Sequence, residues 1–123
     1  NNLFLGRPAL GTDVKAHNEF LSKEINSNKL TRSHRLTTPT DSLNDIENDI
    51  KHNGFQGLKV YRMYSVTGDI ANCVIEDYLP HEQLELANDL GLWITLHMSR
   101  EDGCGDEENL KDLENLMLNK NIY

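Results

Sequence analysis

Long apolar runs are missing from this chain. No stretch approaches the ~20 consecutive apolar residues that a membrane-crossing helix requires, so no membrane partner is expected. Basic residues are scarce as well. Twelve Lys and Arg against twenty Asp and Glu leave a net charge of -8, a sign that repels nucleic-acid backbones and anionic lipid surfaces. Cysteine is rare: Cys73 and Cys104 show neither a CxxC nor a zinc-knuckle spacing. The expectation is two reduced thiols in a cytoplasmic protein. No charged-then-apolar leader opens the sequence, which leaves secretion unsupported. Repeats, low-complexity tracts and linkers are absent too. What remains is a chain of 123 residues, 37% hydrophobic and 26% charged, enough for one domain with a buried core.

Four short apolar segments alternate with four helical patterns. Leu3-Phe4-Leu5 opens the series and is closed by Gly6 and Pro8. A helix capped by Thr12 or Asp13 follows, with Val14, His17, Phe20, Leu21 and Ile25 at helical spacing; Asn26-Ser27-Asn28 ends it. A weaker strand runs from about Ser33 to Thr38 and stops at Pro39. Ser42 caps the next helix, with Asp45 as a partial capping box, a Leu43, Ile46 and Ile50 stripe, and Asn53-Gly54 as its stop. Gly57-Leu58-Lys59-Val60-Tyr61 is the third strand, and a long connection from about Ser65 to Tyr78 leads away from it. Leu79-Pro80 opens a helix carrying Leu84, Ala87 and Leu90, ended by Gly91. The fourth strand lies in Leu92 to His97. After the Glu101 to Gly105 loop, Asp106 caps a last helix with Leu110, Leu113, Met117 and Leu116.

Strict alternation predicts an α/β fold: about four consecutive βα units on a parallel sheet. Helix-to-strand links are tight and strand-to-helix links long, as expected where function is built at the carboxyl ends of strands. A (β/α)₈ barrel of the TIM type needs ~250 residues, about twice what is present. Residues 1–123 are therefore read as a partial barrel, a piece of a larger one. Alternation sends Leu92, Ile94 and Leu96 to one face and Trp93, Thr95 and His97 to the other. His97 thus closes a buried strand where such barrels keep their chemistry; the plainer alternative is a core histidine satisfied by backbone.

Two segments carry a family likeness. Gly54-Phe55-Gln56-Gly57-Leu58-Lys59-Val60-Tyr61-Arg62 and Leu92-Trp93-Ile94-Thr95-Leu96-His97-Met98-Ser99-Arg100 resemble the amidohydrolase superfamily. The nearest likeness is to its amidohydrolase-2-type metal-dependent hydrolases and the related decarboxylases. Tyr78-Leu79-Pro80, Gly11-Thr12-Asp13 and Ala16-His17-Asn18 add to it. The resemblance implies a (β/α)₈ barrel, strands 2–5 of which lie here, with one or two divalent metals at its mouth, zinc first among them. His97 would match the metal-binding histidine of the fifth strand, and bound zinc would acidify a water and polarise a carbonyl. Lys59 would match the fourth strand's lysine, which in some members is carboxylated and bridges metals; in others a residue there binds the substrate's acid group. A barrel-core lysine paired to a carboxylate is the third option. The family's HxH pair, sixth-strand histidine and last-strand aspartate have no counterpart in this sequence and would lie outside it.

The implied activity is hydrolysis of an amide, lactone or related carboxyl-derived bond by metal-activated water. Metal-dependent decarboxylation of a small acid, or a free-standing α/β binding or sensor domain without catalysis, are the alternatives. The substrate would be a small molecule, and a homo-oligomer is left open. Beside the catalytic candidate Lys59 and the metal ligand His97, substrate-binding candidates are Arg100, which follows the histidine strand and offers a bidentate guanidinium, and the pocket-lining Tyr61 and Tyr64. Arg62 is expected to pair with a helix acid. His17 reads as a capping or packing residue, His34, His52 and His81 as solvated surface positions, and the Asp45-Ile46-Glu47-Asn48-Asp49 run as a wet helix face.

Overall fold

The computed structural model describes residues 2–5, 9–27 and 31–118. Four strands and four helices alternate along them: β1 (Asn2–Leu5), α1 (Val14–Ser27), β2 (Thr31–Thr37), α2 (Leu43–Asn53), β3 (Gly57–Tyr61), α3 (His81–Asp89), β4 (Trp93–His97) and α4 (Glu107–Leu118). The strands form one sheet in the order β1-β2-β3-β4, and every neighbouring pair is parallel. The α/β class and the parallel sheet are as expected.

Local signals set most boundaries. Asp13 Oδ1 accepts the Ala16 amide at 3.0 Å and caps α1. Ser42 accepts the Asp45 amide at 3.1 Å and donates to the Asp45 carboxylate at 2.7 Å, while Gly54 ends α2 at φ 79°. Asp106 takes the Glu108 and Asn109 amides, each at 3.0 Å, and starts α4. Each cap satisfies donors that a helix end leaves open.

Register divides the sheet into two faces. Leu58 pairs with Arg35 and Ile94, and Val60 with Thr37 and Leu96. That face meets the helices: Leu58 and Val60 are fully buried with Ile46 of α2, Leu84 and Ala87 of α3 and, partly buried, Leu116 of α4. Helices α1 and α2 flank Arg35 on the same side. A second small cluster, Leu21, Ile25 and Phe55, seals α1 to the start of β3.

Two helices bury a stripe that matches the expected one only in part, at Leu21 and Ile25 of α1 and Leu116 of α4. On α1 the inner line is Asn18, Leu21, Ser22 and Ile25, and Phe20 is 59% exposed. Asn18 grips the backbone of β2, donating to the Leu36 carbonyl and accepting its amide, both at 2.9 Å. On α4 the inner line runs through Asn109, Asp112 and Leu116, leaving Leu110, Leu113 and Met117 exposed. Asn109 donates to the Ser99 and Gly103 carbonyls at 2.7 and 2.9 Å, and Asp112 accepts the Ile75 amide at 2.6 Å. Backbone amides and carbonyls at the strand ends need partners, and these helices supply them with polar side chains. Leu43 of α2 is exposed for its part.

The wet face expected for the acidic run of α2 holds at the exposed Asp45 and Asn48 but not at Asp49. Asp49 lies 2.7 Å from Arg35 Nε, and Asp41 engages the same guanidinium at Nη1. Arg35 is buried, and the two carboxylates neutralise it. The connection between β3 and α3 is ordered by Asp69, which accepts the Ala71 and Asn72 amides, and inserts Cys73, Ile75, Tyr78 and Leu79 into the core. Both cysteines are free thiols, Cys73 buried and Cys104 exposed.

Candidate functional site

The other face of the sheet is where the candidate residues meet. Period-two alternation and the register put Leu5, His34, Gly57 and Trp93 in one row, Leu36, Lys59 and Thr95 in the next, and Tyr61 with His97 at the carboxyl end. Trp93 is 75% exposed, and Leu3 and Leu5 also stand open. A depression of about 460 Å³ on this face is lined by Leu3, Arg32, His34, Gln56, Trp93 and Thr95, with Ile94 at its edge.

Lys59 is only 5% exposed. Its ammonium sits 4.2 Å from the centroid of the Tyr61 ring and 3.5 Å from the Thr95 carbonyl oxygen. Burial pushes its pKa below the usual lysine value. The Tyr61 ring in turn lies against His97, with centroids 5.3 Å apart and planes tilted by 33°. Burial, and then the neighbouring Tyr64, raise the Tyr61 phenol. Lysine, tyrosine and histidine therefore form one contiguous chain of contacts that runs from the middle of β3 to the carboxyl ends of β3 and β4. His97 itself is exposed.

His34 belongs to this face, contrary to the solvated surface position expected of it. It is 6% exposed, with Nδ1 2.7 Å from Thr95 Oγ1. Its ring crosses β3 to reach β4, and Gly57 is what permits the crossing. A Cβ at position 57 would lie 2.7 Å from His34 Nε2 and would overlap the Trp93 carbonyl oxygen. Burial first, and the Lys59 charge second, hold the His34 imidazole below its ordinary pKa. The signal in the sequence is a glycine inside an apolar strand, which marks a close approach.

The arginines go elsewhere. Arg62 and Arg100 line a separate open depression of about 640 Å³ with Ala71, Asn72, Glu101, Asp102 and Asp106. It shares no lining residue with the first. Arg100 has a left-handed backbone (φ 62°), tied down by its amide to the Ala71 carbonyl at 2.7 Å, and its Nε lies 3.4 Å from Asp106. Arg62 has no carboxylate within ion-pair distance among the described residues. Tyr64 sits half-buried in the short 3₁₀ turn after β3, where burial raises its phenol. His81 pairs with Glu85 at 3.1 Å, and His52 is exposed.

A metal centre needs three or four converging ligands. Among the described residues no three His, Cys, Asp or Glu side chains come together in that way. His97 with Lys59 does not make a donor set, so these residues do not by themselves fit a metal. No helix among the described residues is long and apolar enough to cross a membrane. Comparison with known protein families, curated proteins and solved structures finds no match.

Proposed function

We propose that this chain forms about half of a TIM-type (β/α)₈ barrel in a hydrolase of amide, lactone or related carboxyl-derived bonds. The observation carrying the reading is the shared face: Lys59 in the middle of β3 touches Tyr61, and Tyr61 touches His97, where two adjacent parallel strands end. That end is where parallel α/β folds gather their reacting groups. Consecutive strand order with all strands parallel is the order that such a barrel repeats. In this reading His97 would be one ligand to a metal, and the others would come from outside residues 1–123. The metal would supply an acidified water.

The chain's own contribution is electrostatic. A buried ammonium beside a ring and a carbonyl opposes the negative charge that builds on a carbonyl oxygen under attack. Tyr61 holds that ammonium in place and separates it from His97. The two free thiols support a reducing compartment, the cytoplasm. Metal analysis of the full-length protein and of His97→Ala, with a panel of small lactones, esters and amides, tests the proposal. Zinc lost in the variant together with hydrolysis supports it; unchanged zinc removes His97 from the site. Full rate and metal in Lys59→Gln would remove the lysine.

The lack of a converging ligand set around His97 among the described residues favours a second reading, a binding unit without catalysis. Absence of bound metal and of any hydrolysis in the full-length protein would select it.

A further inference from the structure

We propose that the sheet face carrying Lys59 binds an oxyanion, a carboxylate or phosphate group of a small ligand, with the Lys59 ammonium as its counter-charge. The argument starts from a contrast within one sheet. The four strands hold no Asp or Glu, in a protein with twenty acidic residues and a net charge of -8. Their basic residues fall on both faces. On the helix face Arg35 is given two carboxylates, Asp41 and Asp49. On the other face Lys59 is just as deeply buried and is given none among the described residues.

A buried charge is normally paired, because leaving water is costly without an opposite charge. An ammonium carries three donors, and the partners here are weak: a carbonyl at 3.5 Å and a ring face at 4.2 Å. The neighbours add no negative charge. Arg32, His34, Tyr61 and His97 share the face, and none of them is a carboxylate. A chain this acidic has carboxylates to spare, yet among the described residues none lies within ion-pair distance of Lys59. The missing anion is what the ligand brings. The inference uses the same face as the proposed hydrolase but not its metal, and it holds where that reading fails.

The test follows the His34 ring by NMR in isotopically labelled, metal-free full-length protein. The probes are acetate, inorganic phosphate and, at matched ionic strength, sodium chloride. A saturable response to acetate or phosphate is expected, with the His34 pKa moving upward as the bound anion offsets the Lys59 charge. Affinity falls at least about tenfold in Lys59→Met and is retained in Lys59→Arg. Stronger binding of acetate assigns a carboxylate, and stronger binding of phosphate a phosphate.

A response no different from chloride overturns the inference, as does wild-type affinity in Lys59→Met. Affinity lost in Arg100→Gln but kept in Lys59→Met also overturns it, because the anion then sits among the loop arginines. Binding that appears only after zinc is added makes the anion a metal ligand. That result overturns the inference and leaves the hydrolase standing. Metal-free binding without any hydrolysis upholds the inference and removes the hydrolase.

Discussion

Gly57→Ala is the sharpest test of the geometry on the Lys59 face. The added methyl would sit 2.7 Å from His34 Nε2 and 2.8 Å from its Cδ2, and would overlap the Trp93 carbonyl oxygen. The ring can swing away, but only by giving up its 2.7 Å contact with Thr95. The carbonyl belongs to the backbone of the neighbouring strand and cannot move alone. Overpacking of this kind costs about 1–3 kcal/mol, and losing one buried hydrogen bond adds about 1 kcal/mol. Replacing a strand glycine returns about 0.5–1 kcal/mol. The net expectation is a loss of about 2–3 kcal/mol, which lowers the melting temperature by roughly 8–12 °C at this chain length. Urea and thermal unfolding followed by circular dichroism measure both. A variant within about 0.5 kcal/mol of wild type would refute the packing described. His34→Ala completes a cycle. Once alanine has displaced the ring, removing it costs less, so the two losses sum to more than the double variant shows. Additive losses would mean that the imidazole does not lie over position 57.

Asn18→Ala strips partners from both the amide and the carbonyl of Leu36 and is expected to cost about 2 kcal/mol in urea unfolding. An unchanged midpoint would contradict the role of α1 as a clamp on β2. Arg35→Met leaves Asp41 and Asp49 without their shared cation; since both carboxylates keep some solvent, about 2–3 kcal/mol is expected, below the 3–5 of a fully buried pair. Lys59→Met is expected to stabilise the ligand-free protein at neutral pH, because burial lowers the lysine's pKa and the unfolded chain holds that proton more tightly. The advantage shrinks as pH rises towards about 10.4, and a destabilised variant would show that the ammonium is already compensated. His34 gives the same sign at lower pH: its folded pKa is depressed, so its contribution is present above about 6.5 and is lost as pH falls through that value towards the folded pKa. His34→Gln should flatten this acid-side slope relative to wild type, a difference that isolates it from the other histidines.

Strand β3, the caps of Ser42 and Asp106 and the stop at Gly54 are legible in the sequence because each depends on residues adjacent along the chain. The common face of Lys59, Tyr61 and His97 is legible for a related reason, since strand alternation has a period of two whatever the strand packs against. Strand β2 is harder. In Thr31-Arg32-Ser33-His34-Arg35-Leu36-Thr37 the apolar contrast that marks an inner face is absent, so neither the burial of His34 nor the pairing of Arg35 can be read. Helices α1 and α4 mislead for the opposite reason. Their apolar residues advertise one stripe, while the fold turns Asn18, Ser22, Asn109 and the partly buried Asp112 inward to serve backbone of other segments. Which polar side chain meets which orphaned carbonyl is decided by chain segments far apart, and spacing within one helix does not encode it. Arg100 is expected near the histidine, but its left-handed backbone and its bond to Ala71 place it beside an acidic loop instead.

Trp93 is the chain's one tryptophan and stands 75% exposed on the same side of the sheet as Lys59. The molecule thus carries a built-in optical gauge. Whatever settles over that surface, whether a small ligand, another polypeptide or further strands, strips water from the indole and shifts its emission to the blue, with no label attached and whatever the visitor's identity.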